Sequence, residues 1–366
     1  MRAKGAAMRI SPFLRASQLV MLSLLLIAGW ATELRVMRWN IGRAIGANNP
    51  NDAQQPYVAK IWNYFRPDVI LLHEVGGNTS GWNALNQESA LDNFIRANLT
   101  YLGANPQRNV NYYLYVNRLS DGWISSAIVS RYPLVSATDV SIGSPNRGLT
   151  IGFVDVPGTN GVGFFGAHFK AGGYTTDAEK RQTNAEQARA HVNRWRYQNR
   201  RSAYLFGGDL NENEDPDLNS LYDIGALLPD GRVYNPISTV QSARLRDHVP
   251  TDGMGGKRTY KISSRNSDLD QRFDYLFTSA DEPGRDRIRV LEARIFNTRR
   301  MSELPDGFEI TDSQNASDHA PVFLRIQIDR WHTRPDGSGY WVPEPSSWLI
   351  LLGLSGALLL KRRRSD

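Results

Sequence analysis

Pro67-Asp68-Val69-Ile70-Leu71-Leu72-His73-Glu74-Val75 sets four aliphatic residues in a row and closes them with a histidine and an acid. A short continuous apolar run after a proline reads as a strand buried on both faces. The His-Glu pair then stands at the strand's end, on the rim of a sheet, where sites are usually built. The same arrangement recurs outward from this stretch. Residues 34–39 end at Asn40, and residues 162–167 end at His168. Residues 203–206 run through two glycines into Asp209 and Asn211, and Asp318-His319 stand just before the run 320–326. Further strand-like runs cover 112–116, 125–130, 149–155, 273–277 and 289–296, rich in Val, Ile, Phe and Tyr. Helical patterning covers 52–65, 84–97 and 177–196. In the last, Ala178, Ala185, Ala188 and Val192 share a face, and Lys180, Arg181, Arg189, Arg194 and Arg196 decorate the others. Strands outnumber helices and do not alternate with them. The expected class is α/β in the α+β sense, with two mostly antiparallel sheets packed face to face and helices outside, rather than a doubly wound parallel sheet.

The chain has 366 residues, 41% hydrophobic and 22% charged, a globular composition. It contains no cysteine, which excludes disulfides, thiolate zinc sites, iron–sulfur clusters and cysteine nucleophiles. Of the net charge of +6, four come from residues 1–31 and three from residues 346–366, so the segment between carries −1. The basic balance belongs to the ends and is no sign of a nucleic-acid groove.

The ends read as address labels. Residues 1–31 hold four basic residues, the apolar run 19–27 and the small residues Gly29 and Ala31, the pattern of a secretory signal. The alternative is an uncleaved anchor. At the other end Val342-Pro343-Glu344-Pro345 precedes the uncharged stretch 348–360 and Lys361-Arg362-Arg363-Arg364. Thirteen residues of helix span about 20 Å, short of a bilayer core of about 30 Å. This tail resembles the PEP-CTERM sorting tail of Gram-negative bacteria. The resemblance implies recognition and cleavage by an exosortase, membrane association before cleavage, and delivery to the cell surface, outer envelope or extracellular matrix. A plain C-terminal anchor is the alternative. The expected organisation is a signal over 1–31, a catalytic domain over 32–331, a connector over 332–341 and a sorting segment over 342–366.

Each rim residue alone is an ordinary strand-end or turn residue. Together they crowd several carboxylates, two asparagines and two histidines on one rim, which is costly unless a cation neutralises it. Oxygen donors without cysteine or a close histidine pair favour Mg²⁺, with Mn²⁺ or Ca²⁺ as alternatives, over zinc. A hard cation beside a histidine suits attack of water on a phosphoester.

Met37-Arg38-Trp39-Asn40, residues 67–75, Ser126-Ala127-Ile128-Val129-Ser130-Arg131-Tyr132-Pro133, Gly208-Asp209-Leu210-Asn211, Phe273-Asp274-Tyr275-Leu276 and Ser317-Asp318-His319-Ala320-Pro321-Val322 follow one another as in the endonuclease/exonuclease/phosphatase superfamily. This deoxyribonuclease I-like resemblance covers residues 34–327 and implies a four-layer α/β sandwich with the site between the sheets. It implies Glu74 as the main metal ligand, with Asn40 beside it and Asp318 in support. Asp209 would orient or deprotonate the water, and Asn211 would donate to a phosphoryl oxygen. His319 would be base or transition-state donor, oriented by Asp274; either Asp209 or His319 takes the proton. His168 matches a second histidine of some members, and Arg147 sits where related nucleases contact a phosphate. Lys170, just past His168, is a candidate substrate contact. Members usually carry Gln before the metal-binding Glu, where this chain has His73.

The substrate readings are DNA, with RNA second; a phospholipid head group, as in sphingomyelinases; and a small phosphomonoester. A catalytically dead matrix-binding protein is the reading from another class, and the complete set of rim residues argues against it. Arginines on the helix over 177–201 are a candidate DNA backbone contact.

Overall fold

The computed structural model describes residues 32–102, 112–213, 222–261 and 269–342. The expected signal segment and all of the sorting tail beyond Val342 lie outside the described residues. Two six-stranded sheets form the body. The first contains β1 (Thr32–Asn40), β2 (Val69–Gly76), β3 (Tyr113–Val116), β4 (Ile124–Ser130), β11 (Arg287–Ile295) and β12 (Val322–Asp329), in the order β11-β12-β1-β2-β4-β3. The second contains β5 (Leu134–Val140), β6 (Leu149–Val154), β7 (Val162–His168), β8 (Ala203–Asp209), β9 (Leu245–Asp247) and β10 (Asp274–Ser279), in the order β5-β6-β7-β8-β10-β9.

Each sheet has one parallel pair near its centre, β1 with β2 and β7 with β8; the other neighbours are antiparallel. A parallel pair needs a crossover. Helix α1 (Gln55–Phe65) supplies it in the first sheet, and the long α3 (Thr175–Gln198) in the second. Helices α2 (Ala84–Asn98), α4 (Pro236–Gln241) and α5 (Asp312–Ala316) complete the outer layers.

Side-chain parity builds the layers. Leu34 and Val36 of β1, Val69 and Leu71 of β2, Val162 and Phe164 of β7, and Leu205 of β8 form a core between the sheets. Their neighbours of opposite parity face the helices. Met37, Trp39, Ile70 and Leu72 pack with Trp62 and Phe94, while Phe165, Tyr204 and Phe206 pack with Ala185, Ala188 and Val192. Continuing the inner parity by one step gives Arg38, His73, Gly166 and Gly207, and by a second step His168 and Asp209. The inter-sheet core is therefore apolar along most of its length and polar at one end.

Two expectations are corrected, and a strand is added between them. Arg181 is not on an exposed face of α3. It is buried beside Ala178, donating from Nε to Tyr234 Oη at 2.6 Å and from Nη1 to the Gly172 carbonyl at 2.7 Å. Residues 134–140 form β5, an edge strand whose Ser136, Thr138 and Asp139 hide it from apolar patterning. The connector region contains a hairpin, β13 (Trp331–Thr333) with β14 (Gly339–Trp341). Trp331 and Trp341 pack edge to face, and Trp341 Nε1 donates to the Arg285 carbonyl at 2.9 Å.

Candidate active site at one end of the sandwich

Strand ends and register assemble the site. Asn40, His168 and Asp209 are the last residues of β1, β7 and β8, and Asp274 is the first of β10. Asn40 pairs across the ladder with His73, His168 with Asp209, and Asp209 with Asp274. Glu74 is set apart from its strand. The β2–β4 register slips between Leu72 and Val75, and Glu74 itself has φ of 58°. This left-handed bulge re-aims a carboxylate that strict alternation would turn toward the helices. Asn211 likewise has φ of 49°, and its N–H donates to Asp209 Oδ1 at 3.0 Å.

Asp274 Oδ2 lies 2.8 Å from His319 Nδ1. A carboxylate only accepts, so the proton sits on Nδ1 and the neutral ring keeps its lone pair on Nε2. The ring is fixed from behind: Trp39 Nε1 donates to the His319 carbonyl at 2.9 Å, and Ser317 Oγ, which accepts from His319 N, donates to the Asn40 carbonyl at 2.8 Å. Nε2 stands 3.6 Å from Asp209 Oδ2.

Asn40 ties the halves together. Its Nδ2 donates to Glu74 Oε1 at 3.0 Å and to Asp209 Oδ2 at 2.9 Å, and its Oδ1 accepts from Gly42 N. Gly42 has φ of 55°, and an added Cβ there would come within 3.4 Å of both Ser317 Oγ and Asp318 Oδ1. The turn after β1 is thus held close to the Asp318 loop. Burial raises the Glu74 carboxyl, against the pull of His319 and the Asn40 hydrogen bond, while Asp318 and Asp209 raise it further. Among the described residues, Asp209, Asp274 and His319 offer three ligand atoms within 4.8 Å of one another. Asp274 is already committed there, to His319 through one oxygen and to Arg38 through the other. Glu74, 20% exposed in its side chain, and the half-buried Asp318 are the freer oxygen donors, and their mutual repulsion fits a hard cation between them.

His168 sits on the opposite side of Asp209, with Nε2 at 3.6 Å from Oδ2. Arg147 Nη1 donates to that same Nε2 at 2.9 Å, and Arg147 Nε donates to Asp121 Oδ2 at 2.8 Å. Burial first, then Arg147, hold His168 well below 6.5, so the ring is neutral. Asn211 spends one Nδ2 hydrogen on the Phe169 carbonyl at 3.1 Å. Lys170 is not brought to the cluster: its Nζ pairs with Asp177 Oδ1 at 3.1 Å, on the first turn of α3.

Three residues of the site had no role assigned from sequence. Arg38 is fully buried, ion-paired to Asp274 Oδ1 through Nη1, with Nη2 3.9 Å from Asp209 Oδ2. Burial lowers its pKa to about 10, against the pull of Asp209 and Glu74. The signal for it was its parity with Leu34 and Val36. Tyr260 packs its ring 4.5 Å from that of His319 and stacks on Phe273. Its phenol is pushed up to about 12, by burial first and then by Asp318, Asp209 and Glu74. No strand pattern marks it. Arg43 has Nε 3.8 Å from Glu74 Oε2.

His73 is buried between the sheets, with Nδ1 2.9 Å from Ser126 Oγ and its ring edge-on to His168. Burial, then Arg38 and His319, hold it well below 6.5. A histidine kept neutral in the fold but protonated when unfolded destabilises the fold as pH drops below the unfolded value. Stability from His73 and His168 is therefore full above about pH 6.5 and falls below it, by up to about 1.4 kcal/mol per unit for each ring. His73 and His168 together should account for about 2 kcal/mol of the stability that metal-free protein loses between about pH 6.5 and 5.5, and His73→Gln should remove about half of that share in urea unfolding. An unchanged slope in His73→Gln would show that this ring takes its proton within the fold.

One end of the sandwich thus gathers a His-Asp dyad, a bulged glutamate and an arginine-bound histidine. The chain belongs to the Endonuclease/Exonuclease/phosphatase family, whose model matches residues 39–319. A PEP-CTERM protein-sorting motif matches residues 342–365 and indicates export to the cell surface. Among solved structures, the endonuclease/exonuclease/phosphatase from Beutenbergia cavernae DSM 12333 superposes with a TM-score of 0.52 at 19% identity, over 86% of this chain and 79% of that one. A family protein from Bacteroides thetaiotaomicron gives 0.52 at 16% identity, over 81% and 98%. TDP2 from Caenorhabditis elegans gives 0.50 at 16% identity, over 86% and 80%. At these identities the likeness is one of fold. No curated protein matches the sequence.

Proposed function

We propose that the chain is an exported, divalent-metal-dependent phosphodiesterase acting on nucleic acid, DNA before RNA. The observation that carries this reading is the pair of hydrogen-bonded sets Asp274–His319 and Glu74–Asn40–Asp209, faced across Asp209 by His168 and Arg147. His319 Nε2 takes the proton of the attacking water while Asp274 keeps the Nδ1 proton in place. Asp209, equidistant from Nε2 of His319 and of His168, orients that water. Arg147, held by Asp121 and seated on His168, receives the phosphate, and Asn211 donates its remaining Nδ2 hydrogen to the phosphoryl oxygen as charge builds. Glu74 and Asp318, with Asn40 beside them, would hold the divalent cation, which when bound would neutralise charge on that oxygen.

The lipid-headgroup reading has one observation in its favour. Trp123, just before β4, and Tyr174, just before α3, are 43% and 79% exposed at the site end. Plasmid DNA separates the two. Purified protein with Mg²⁺, Mn²⁺ or Ca²⁺ should nick it, and EDTA or His319→Ala should stop the nicking. Cleavage of sphingomyelin with no nicking under any metal would replace the nuclease reading by the lipid one.

A further inference from the structure

Helix α3 turns polar on its buried face as it nears the site. Ala185, Ala188 and Val192 pack on Phe165, Tyr204 and Phe206. One turn closer to the helix start stand Arg181 and Asn184, 0% and 1% exposed. Asparagine is a weak helix former, since its amide competes for backbone groups. Here that amide serves two loops outside the helix.

The first loop leaves β7 after His168. The peptide unit between Phe169 and Lys170 works in both directions. Its carbonyl accepts from Asn211 Nδ2 at 3.1 Å, and its N–H donates to Asn184 Oδ1 at 3.2 Å. The second loop leads into β6 through Arg147. Its Ile142 and Ser144 carbonyls accept from Asn184 Nδ2 at 2.6 Å and 3.3 Å, and the Pro145 carbonyl accepts from Arg147 N at 2.7 Å. One acceptor and two donors on a single planar group match one loop N–H on one side and two carbonyls on the other. Arg181 fixes the first loop further along. Its Nη1 donates to the Lys170 carbonyl at 3.2 Å and to the Gly172 carbonyl at 2.7 Å. Its Nε stands 3.4 Å from Oε2 of Glu212, the residue after Asn211.

We propose that Asn184 is a positioning residue that holds Arg147 and Asn211 in one frame around the phosphate, an inference that rests on the phosphodiesterase reading. The two groups reach the site from different loops, and Asn184 is bonded to the backbone behind each. Arg147 receives the phosphate, while Asn211 donates as charge builds. Both must meet one phosphoryl group at once, so drift of either loop costs alignment. The amide is buried, so water does not replace its bonds when they are lost.

Asn184→Leu keeps most of the volume and removes all three bonds. With bis(p-nitrophenyl) phosphate and Mn²⁺, kcat/KM of the full chain should fall about 10–10²-fold, KM rising through Arg147 and kcat falling through Asn211. In an Arg147→Ala background the same substitution should leave KM unchanged. In an Asn211→Ala background it should leave kcat unchanged, because the group it positions is gone. Loss by the same factor in all three backgrounds would mean that Asn184 only supports the fold, and would overturn the proposal. A second readout needs no reaction. Arg147 Nη1 donates to Nε2 of the neutral His168 ring at 2.9 Å, and the ¹⁵N shift of that nitrogen reports the bond in metal-free chain labelled at histidine. Asn184→Leu should move it downfield, as Arg147→Ala does, and the two together should move it no further than Arg147→Ala alone. Asn184→Ser, too short to reach both loops, takes both readouts should Asn184→Leu not fold. An unmoved Nε2 in either folded variant would overturn the link to Arg147. The expected shift in a chain that cleaves no phosphodiester removes the proposed reaction and leaves the positioning of Arg147 in place.

Discussion

Asp274→Asn should lower kcat for phosphodiester cleavage by about 10²–10⁴-fold with KM little changed. The carboxylate at 274 accepts the Nδ1 proton of His319 at 2.8 Å and so leaves Nε2 bare toward Asp209. An asparagine amide turned toward Nδ1 donates instead. It moves the ring proton to Nε2, and the base is lost while every heavy atom stays close to its place. His319→Ala should cost a loss of the same order. The double variant should be hardly worse than either single one, because the two residues act as a unit. Steady-state kinetics on a chromogenic phosphodiester, with metal in excess, read this directly. An almost fully active Asp274→Asn beside a dead His319→Ala would separate the histidine from its supposed orienter and return the proton to Asp209.

The strand ends were legible because buried strands are local objects. Four aliphatic residues before His73-Glu74, or Phe164 and Phe165 before His168, announce a strand wherever it lands. The ordered motifs then told which ends meet, something periodicity alone does not give. What stayed hidden depends on contacts between residues distant in sequence. Arg38 reads as one more charged residue on a strand until Gly207 and Asp274 arrive from the other sheet. Arg181 looks solvated until Tyr234 and the Gly172 carbonyl close over it. Lys170, two residues past His168, pairs with Asp177 on the first turn of α3, a partner seven residues on that strand patterning does not supply. The hairpin at 331–341 reads as a connector in sequence because Arg-Pro-Asp-Gly-Ser-Gly is turn sequence, and the flanking Trp331 and Trp341 reveal a pair only when folded together.

Arg38→Met should destabilise the metal-free fold by about 3–5 kcal/mol. Arg38 is fully buried, and its guanidinium lies between two carboxylates that are themselves almost without solvent. Room for it is made by Gly207, where an added Cβ would come within 2.6 Å of Leu71 Cδ1 and 3.0 Å of Arg38 Cγ. Methionine fills much of the same space, so the loss is electrostatic rather than a cavity. It strands Asp274 Oδ1 and deprives Asp209 of its nearest cation. Arg38→Lys should recover only part, since one ammonium reaches a single carboxylate where the planar fork reaches toward two. Arg38→Met combined with Asp274→Asn should be more stable than Arg38→Met alone, because the orphaned charge goes with its partner. Urea unfolding in EDTA measures all three. Equal stability of Arg38→Met and the parent chain would mean that Asp274 and Asp209 are compensated from elsewhere. A double variant less stable than Arg38→Met would mean that Asp274 holds the sandwich end through His319 rather than through the arginine.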